Sequence, residues 1–168
     1  PSENTTVNVA LRSIYARLQQ LLPRHCSEVW SLILSKSGTA LQDPHCDYSI
    51  HPSEEQRRQK EGYQLENTSF SLLIPTSDGA NFVVYDDIKD HSDKATVIVL
   101  QKGDALVLRD DCVHSGGYYK YEHFARLHVY LTCHSVPSIG TDTNIFRGLL
   151  SLERKRALER EIKEKLGW

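Results

Sequence analysis

Between residues 68 and 132 the chain breaks into short apolar runs, and this pattern constrains its fold more than anything else in it. "TSFSLLIP" (68–75), "NFVVYDD" (81–87), "ATVIVLQ" (95–101), "DALVLRD" (104–110) and "FARLHVYLT" (124–132) each carry alternating or continuous apolar residues. The turn signals "SDG" (77–79), "KDHSDK" (89–94), "KGD" (102–104) and "SGG" (115–117) separate them. Runs of this length suit strands, and clusters of Gly, Asp and Ser suit the tight connections between strands. Many short strands without interleaved helices point to a sandwich or barrel rather than a parallel α/β sheet.

Helical periodicity is confined to the two ends. In "TTVNVALRSIYARLQQLLPRH" the apolar residues Val7, Leu11, Ile14, Tyr15, Leu18, Leu21 and Leu22 fall on one helical face. Thr5 or Thr6 can cap its start and Pro23 marks its end. "EVWSLILS" (28–35) reads as a buried strand. "NIFRGLLSLERKRALEREIKEKLGW" (144–168) reads as a charged helix with Leu149, Leu152, Ala157, Leu158, Ile162 and Leu166 as its apolar positions. Its charges are expected to face solvent. Residues 49–67 are polar with no apolar period and form a connecting loop or a lid beside a site. The expectation is one domain over 1–168: an N-terminal helix within 1–27, a β core of about seven or eight strands over 28–136, and a C-terminal helix within 142–168.

At 168 residues with 39% apolar content, the chain can bury a core without disulfides or structural metals. A net charge of −2 does not suggest a general phosphate binder, so nucleic acid is not an expected partner. No apolar run reaches 18 residues, so no membrane helix is expected. Cys26, Cys46, Cys112 and Cys133 form no C-x-x-C pair, which argues for reduced thiols in the cytoplasm or nucleus.

The motif with chemical content is "LQDPHCDYS" (41–49). His45 and Asp47 stand at i, i+2, which on extended chain turns both side chains to one face. A metal site of the two-histidine, one-carboxylate type needs one more ligand, from a distant strand. His114 follows an apolar run and an acidic turn in "GDALVLRDDCVHSGG" and fits that place. His25 sits at a helix end, His134 closes a strand, and His51, His91 and His123 lie in polar loops. Cys46, between the two ligands, and Cys112 read as packing residues. In "FARLHVYL" (124–131), Leu127, Val129 and Leu131 alternate with Arg126, His128 and Tyr130, and one of these faces must point inward in a barrel. An arginine there needs a carboxylate, and the partner can be a ligand.

His45-x-Asp47, then His114, then Arg126 twelve residues later resembles the H-x-D…H…R pattern of the Fe(II)/2-oxoglutarate-dependent dioxygenases, over roughly residues 28 to 135. That resemblance implies a mainly β double-stranded β-helix (jelly roll, cupin-like) with flanking helices. It implies Fe(II) held by His45, Asp47 and His114, with 2-oxoglutarate anchored by Arg126. The reaction would use O2 to hydroxylate a substrate C–H bond while 2-oxoglutarate goes to succinate and carbon dioxide. Many members carry R-x-S or R-x-T, whose hydroxyl also meets the co-substrate. Here that position is His128, which can take over the contact or reshape the pocket. The R-x-N-x-x-x-x-x-R ending of nucleic-acid demethylases is absent. The primary substrate is then a protein or peptide side chain or a small molecule. Arg57, Arg58 and Lys60 with Tyr118, Tyr119 and Tyr121 could frame its entrance. Two other readings stay open: a cupin-like metal enzyme without 2-oxoglutarate, and a non-catalytic jelly-roll binding module.

Overall fold

The computed structural model describes residues 3–36, 38–48, 68–86, 94–119, 124–133, 144–145 and 150–167. Helix α1 (Glu3–Leu21) comes first, followed by β1 (His25–Ser35), β2 (His45–Cys46), β3 (Phe70–Pro75), β4 (Ala80–Tyr85) and β5 (Ala95–Leu100). Next come β6 (Leu106–Arg109), β7 (His114–Gly116), β8 (Phe124–Cys133) and β9 (Asn144–Ile145), and helix α2 (Leu152–Leu166) closes the order. The strands form two antiparallel sheets, one ordered β1-β8-β3-β6 and the other β5-β4-β7-β2-β9. Neighbours distant in sequence are paired in both sheets, and the result is the double-stranded β-helix that the family resemblance implied.

The central strands β3, β4 and β8 are buried on both faces, whereas Leu32 and Leu34 of β1 and Val107 of β6 are exposed. On β8, Val129 and Leu131 join Phe70 and Leu72 in an outer cluster, against which Leu18 of α1 and Leu22 pack. The alternate residues Arg126 and His128 are buried as well, on the face that looks at the other sheet. A strand buried on both sides shows no inside-outside contrast in hydropathy. On the five-stranded sheet, Val83, Tyr85 and Val97 take the outer face, where Leu158 and Ile162 of α2 complete the cluster at 0% exposure. Between the sheets lie Leu73, Phe82, Leu100, Leu108, Tyr119 and Phe124.

Several elements differ from the sequence reading. Helix α1 begins at Glu3, before Thr5 and Thr6, so neither threonine caps it. The C-terminal helix begins only at Leu152. Ser151 stands in extended conformation and its hydroxyl accepts a hydrogen bond from Arg154 N, which satisfies one of the otherwise orphaned first-turn donors. Asn144–Ile145, read as the start of that helix, instead pairs with β2. "SGG" was a turn signal by composition, yet His114–Gly116 is a strand. At Gly116 a Cβ would sit 2.3 Å from Gln42 Oε1 and 3.3 Å from Arg126 Nη2, so a side chain there would push Gln42 aside. Gly117 gives up its Cβ for a similar reason, as Asn81 Oδ1 would be 1.5 Å away. The loop 49–67 and residues Tyr121, His51, His91, His123 and His134 lie outside the described residues.

Candidate metal centre

Strand β2 is two residues long, but it lies between β7 and β9, and its register sets His45 directly opposite His114. The two imidazoles face each other with ring centroids 4.5 Å apart. Asp47 follows two residues after His45 and turns to the same side. One ligand atom from each of His45, Asp47 and His114 lies within 4.8 Å of the others, a grouping that could hold a metal ion. Asp47 and His114 are buried, at 5% and 4% exposure.

The arm leading into β2 is anchored on two sides. Gln42 N donates to Gly116 O (3.0 Å), and Gly116 N donates back to Gln42 Oε1 (2.9 Å). From α2, Glu159 Oε1 accepts from Leu41 N (3.3 Å), and Lys155 makes an ion pair with Asp43. The histidine tautomers follow from the backbone. His45 Nδ1 lies 2.8 Å from Asp43 O and His114 Nδ1 lies 3.2 Å from Cys112 O. A carbonyl can only accept, so each Nδ1 carries the proton and each Nε2 offers its lone pair, as in metal-binding histidines.

The electrostatics favour the ligating protonation states. Burial pushes the His114 imidazole down to about 4, although the Asp47 carboxylate pulls the other way. Burial alone would raise the Asp47 carboxyl. The nearby His128 and His114 imidazoles and the Ser71 hydroxyl outweigh it and hold the group well below the usual carboxylate range. At neutral pH the cluster therefore presents a neutral His114 and a charged carboxylate. Cys46 points the other way, into the core under α2, with its thiol pushed up to about 12 by burial and by neighbouring Cys112 and Asp111.

Arg126 and His128 project into the same cavity of about 430 Å³, which His45, Asp47 and His114 also line. Arg126 is 5% exposed and pairs with no carboxylate among the described residues. Its Nη1 donates to Tyr119 OH (2.7 Å) and Ser35 Oγ (3.2 Å), and its Nε has no partner among them. The guanidinium lies near the rings of Phe82 (5.4 Å) and Tyr119 (5.7 Å). His128 Nε2 approaches Asp47 Oδ2 at 3.3 Å. The structure thus brings all five expected site residues to one cavity. Tyr119 was expected near an entrance; it is instead an interior residue, stacked on Phe124. Tyr118 is half-buried beneath Lys163 of α2. Ser35, Gln42 and Gly116 were not legible as site residues. Only the glycine pair hinted at a close approach. His25 is a buried structural residue bound to Thr68 O.

No protein-family model and no curated protein matches the chain. Among solved structures its fold is similar to that of AviO1 from Streptomyces viridochromogenes Tue57, with a TM-score of 0.54 and 13% identity over 76% of this chain. The non-heme monooxygenase ThoJ in its apo form is similar at a TM-score of 0.52 and 11% identity, covering 90% of this chain and 74% of ThoJ. HygX from Streptomyces hygroscopicus, with nickel and 2-oxoglutarate bound, is similar at a TM-score of 0.50 and 9% identity, covering 79% of this chain and 69% of HygX. The chain spans 60% of the length of AviO1. At these identities the likeness is one of fold. Among the described residues no helix is long and apolar enough to cross a membrane.

Proposed function

We propose that this protein is an Fe(II)- and 2-oxoglutarate-dependent oxygenase that hydroxylates a substrate C–H bond. One observation carries the reading: a two-histidine, one-carboxylate cluster shares a single cavity with a buried arginine that meets no carboxylate among the described residues. The donor set fits a divalent first-row metal with open positions left over. Arg126 Nε, which has no partner among the described residues, fits the distal carboxylate of a dicarboxylate, which a guanidinium grips through two parallel hydrogen bonds. HygX, whose fold this chain shares, is a protein with nickel and 2-oxoglutarate bound, which agrees with the reading.

In this reading His45, Asp47 and His114 hold the metal on one face, and Arg126 orients the co-substrate across the cavity. Tyr119 and Ser35 fix the guanidinium. Phe82 and Leu73 supply apolar wall that keeps water from the reacting groups. Fe(II) and 2-oxoglutarate, when bound, supply the O2 chemistry that oxidises a C–H bond. The primary substrate in this reading is a protein or peptide side chain or a small molecule.

The test is an anaerobic Fe(II) titration with 2-oxoglutarate, following the weak visible metal-to-ligand charge-transfer band, and then succinate release once O2 is admitted. The wild-type protein should show both. His45→Ala and Asp47→Ala should lose both while keeping the circular dichroism of the folded chain. Tight metal binding that ignores 2-oxoglutarate would shift the reading to a cupin-like metal enzyme of another type. Undiminished turnover in both variants would remove the site assignment.

A further inference from the structure

We infer that His128 is a positioning residue for the Asp47 carboxylate, and neither a metal ligand nor a contact of the co-substrate; this rests on the metal reading above. His128 is buried at 7% exposure on the inner face of β8, beside Leu73 of β3. Its Nε2 stands 3.3 Å from Asp47 Oδ2. Among the described residues neither of these two buried atoms has a hydrogen-bond partner. Two such atoms facing each other make a pair that a small rotation of either ring or carboxylate closes into a hydrogen bond.

His128 does not belong to the group whose ligand atoms all lie within 4.8 Å of one another. It approaches Asp47 without closing on the whole cluster, which is the geometry of a supporting residue and not of a fourth ligand. A carboxylate that gives one oxygen to a metal is held in orientation by a donor on the other. His128, with its proton on Nε2, would supply that donor to Oδ2, its distance of 3.3 Å being shorter than the 3.7 Å from Oδ2 to His114 Nε2, and would leave the remaining lone pairs of the carboxylate to a metal. The ring is held in turn: Tyr130 lies against it with centroids 4.5 Å apart, and Tyr48 meets Tyr130 edge-on at 5.4 Å. Around the same carboxylate stand the buried Ser71 hydroxyl, His114 Nε2 at 3.7 Å from Oδ2 and His45 Nε2 at 4.0 Å from Oδ1. An imidazole spans the gap to Asp47; a serine or threonine hydroxyl at 128 would stop well short of it.

The experiment titrates Co(II), followed by its visible absorption, into the protein and three variants. 2-Oxoglutarate affinity is then measured on the metal-saturated forms. His128→Leu removes the donor and should weaken Co(II) binding about 10- to 100-fold and alter the cobalt spectrum, with 2-oxoglutarate affinity changed far less. His128→Asn keeps an amide but shortens its reach, and should weaken Co(II) in the same way. It decides the matter if the leucine variant does not fold. His128→Gln restores the reach and should recover most of the affinity. Unchanged Co(II) binding in the folded variants overturns the inference and leaves the metal reading standing. Lost 2-oxoglutarate affinity with Co(II) binding intact overturns it in favour of a co-substrate contact. Failure of the unsubstituted protein to bind Co(II) overturns the metal reading itself and this inference with it.

Discussion

Replacing Arg126 by methionine should separate folding from co-substrate binding, because the two draw on different interactions of the same side chain. In the fold, Arg126 donates through Nη1 to two neutral hydroxyls and leaves Nε without a described partner. Hydrogen bonds involving a charged group contribute about 1.5–3 kcal/mol each, so losing both removes about 3–6 kcal/mol. Against this stands the penalty of holding an unpaired guanidinium at 5% exposure, itself several kcal/mol after relaxation. Methionine also adds apolar contact with Phe82 and Leu73 worth about 1–2 kcal/mol. These contributions oppose one another, and the net change in stability should stay within about 2 kcal/mol. For a chain of this size that is a shift in Tm of no more than about 8 °C. Co-substrate binding has no such compensation. Losing two charge-assisted bonds to a carboxylate, about 3–6 kcal/mol, should raise the Kd for 2-oxoglutarate by roughly two to four powers of ten. The assays are thermal unfolding of the metal-free variant and the Fe(II)/2-oxoglutarate charge-transfer titration. A Kd within tenfold of wild type, or a loss of more than about 4 kcal/mol in stability, would refute the reasoning and make Arg126 a structural residue.

Two further outcomes follow from the same geometry. The metal-free protein should lose stability as pH falls from about 6.5 to about 4, because the unfolded His114 takes up a proton there while the buried one, with its pKa near 4, does not. The span corresponds to about 3 kcal/mol; urea unfolding of wild type against His114→Gln measures it, and parallel pH curves for the two would contradict it. Gly117→Ala would drive a methyl to 1.5 Å from Asn81 Oδ1 and 2.8 Å from Asn81 O, which should destabilise the fold by at least about 1–3 kcal/mol. Denaturation at wild-type urea concentration would show that the β4–β7 edge relaxes freely.

The parts legible in sequence were those whose periodicity matched their burial. Strands β3, β4, β5, β6 and β8 lie within or close to the apolar runs, and α1 covers the stretch of helical period. The 45-x-47 spacing survived into geometry because β2, short as it is, is extended and keeps neighbouring side chains on alternate sides. What failed was anything set by long-range pairing. Residues 144–145 have a helical neighbourhood in sequence, but β2 needs a partner on its free side and takes them as β9. "SGG" looks like a turn because glycine is common in turns, whereas here it marks a strand on which Gln42 and Arg126 crowd. The inner face of β8 was also ambiguous. Only the folded chain shows that α1 covers the outer face, which makes Arg126 and His128 interior residues. Tyr119 was misplaced because a tyrosine cluster reads as surface until the guanidinium it serves is known.

The anchoring of the β2 arm has a consequence for how the site comes into being. During synthesis His45 and Asp47 leave the ribosome some seventy residues ahead of β7, which sets the register of His45. The second neighbour, β9, and the α2 residues Lys155 and Glu159 that grip the arm arrive later still. Until then the two proposed ligands are a tethered pair on unpaired chain, without the geometry that would discriminate among metals. In the proposed site, the ability to choose a metal would arise only once residues far downstream have folded back onto His45 and Asp47.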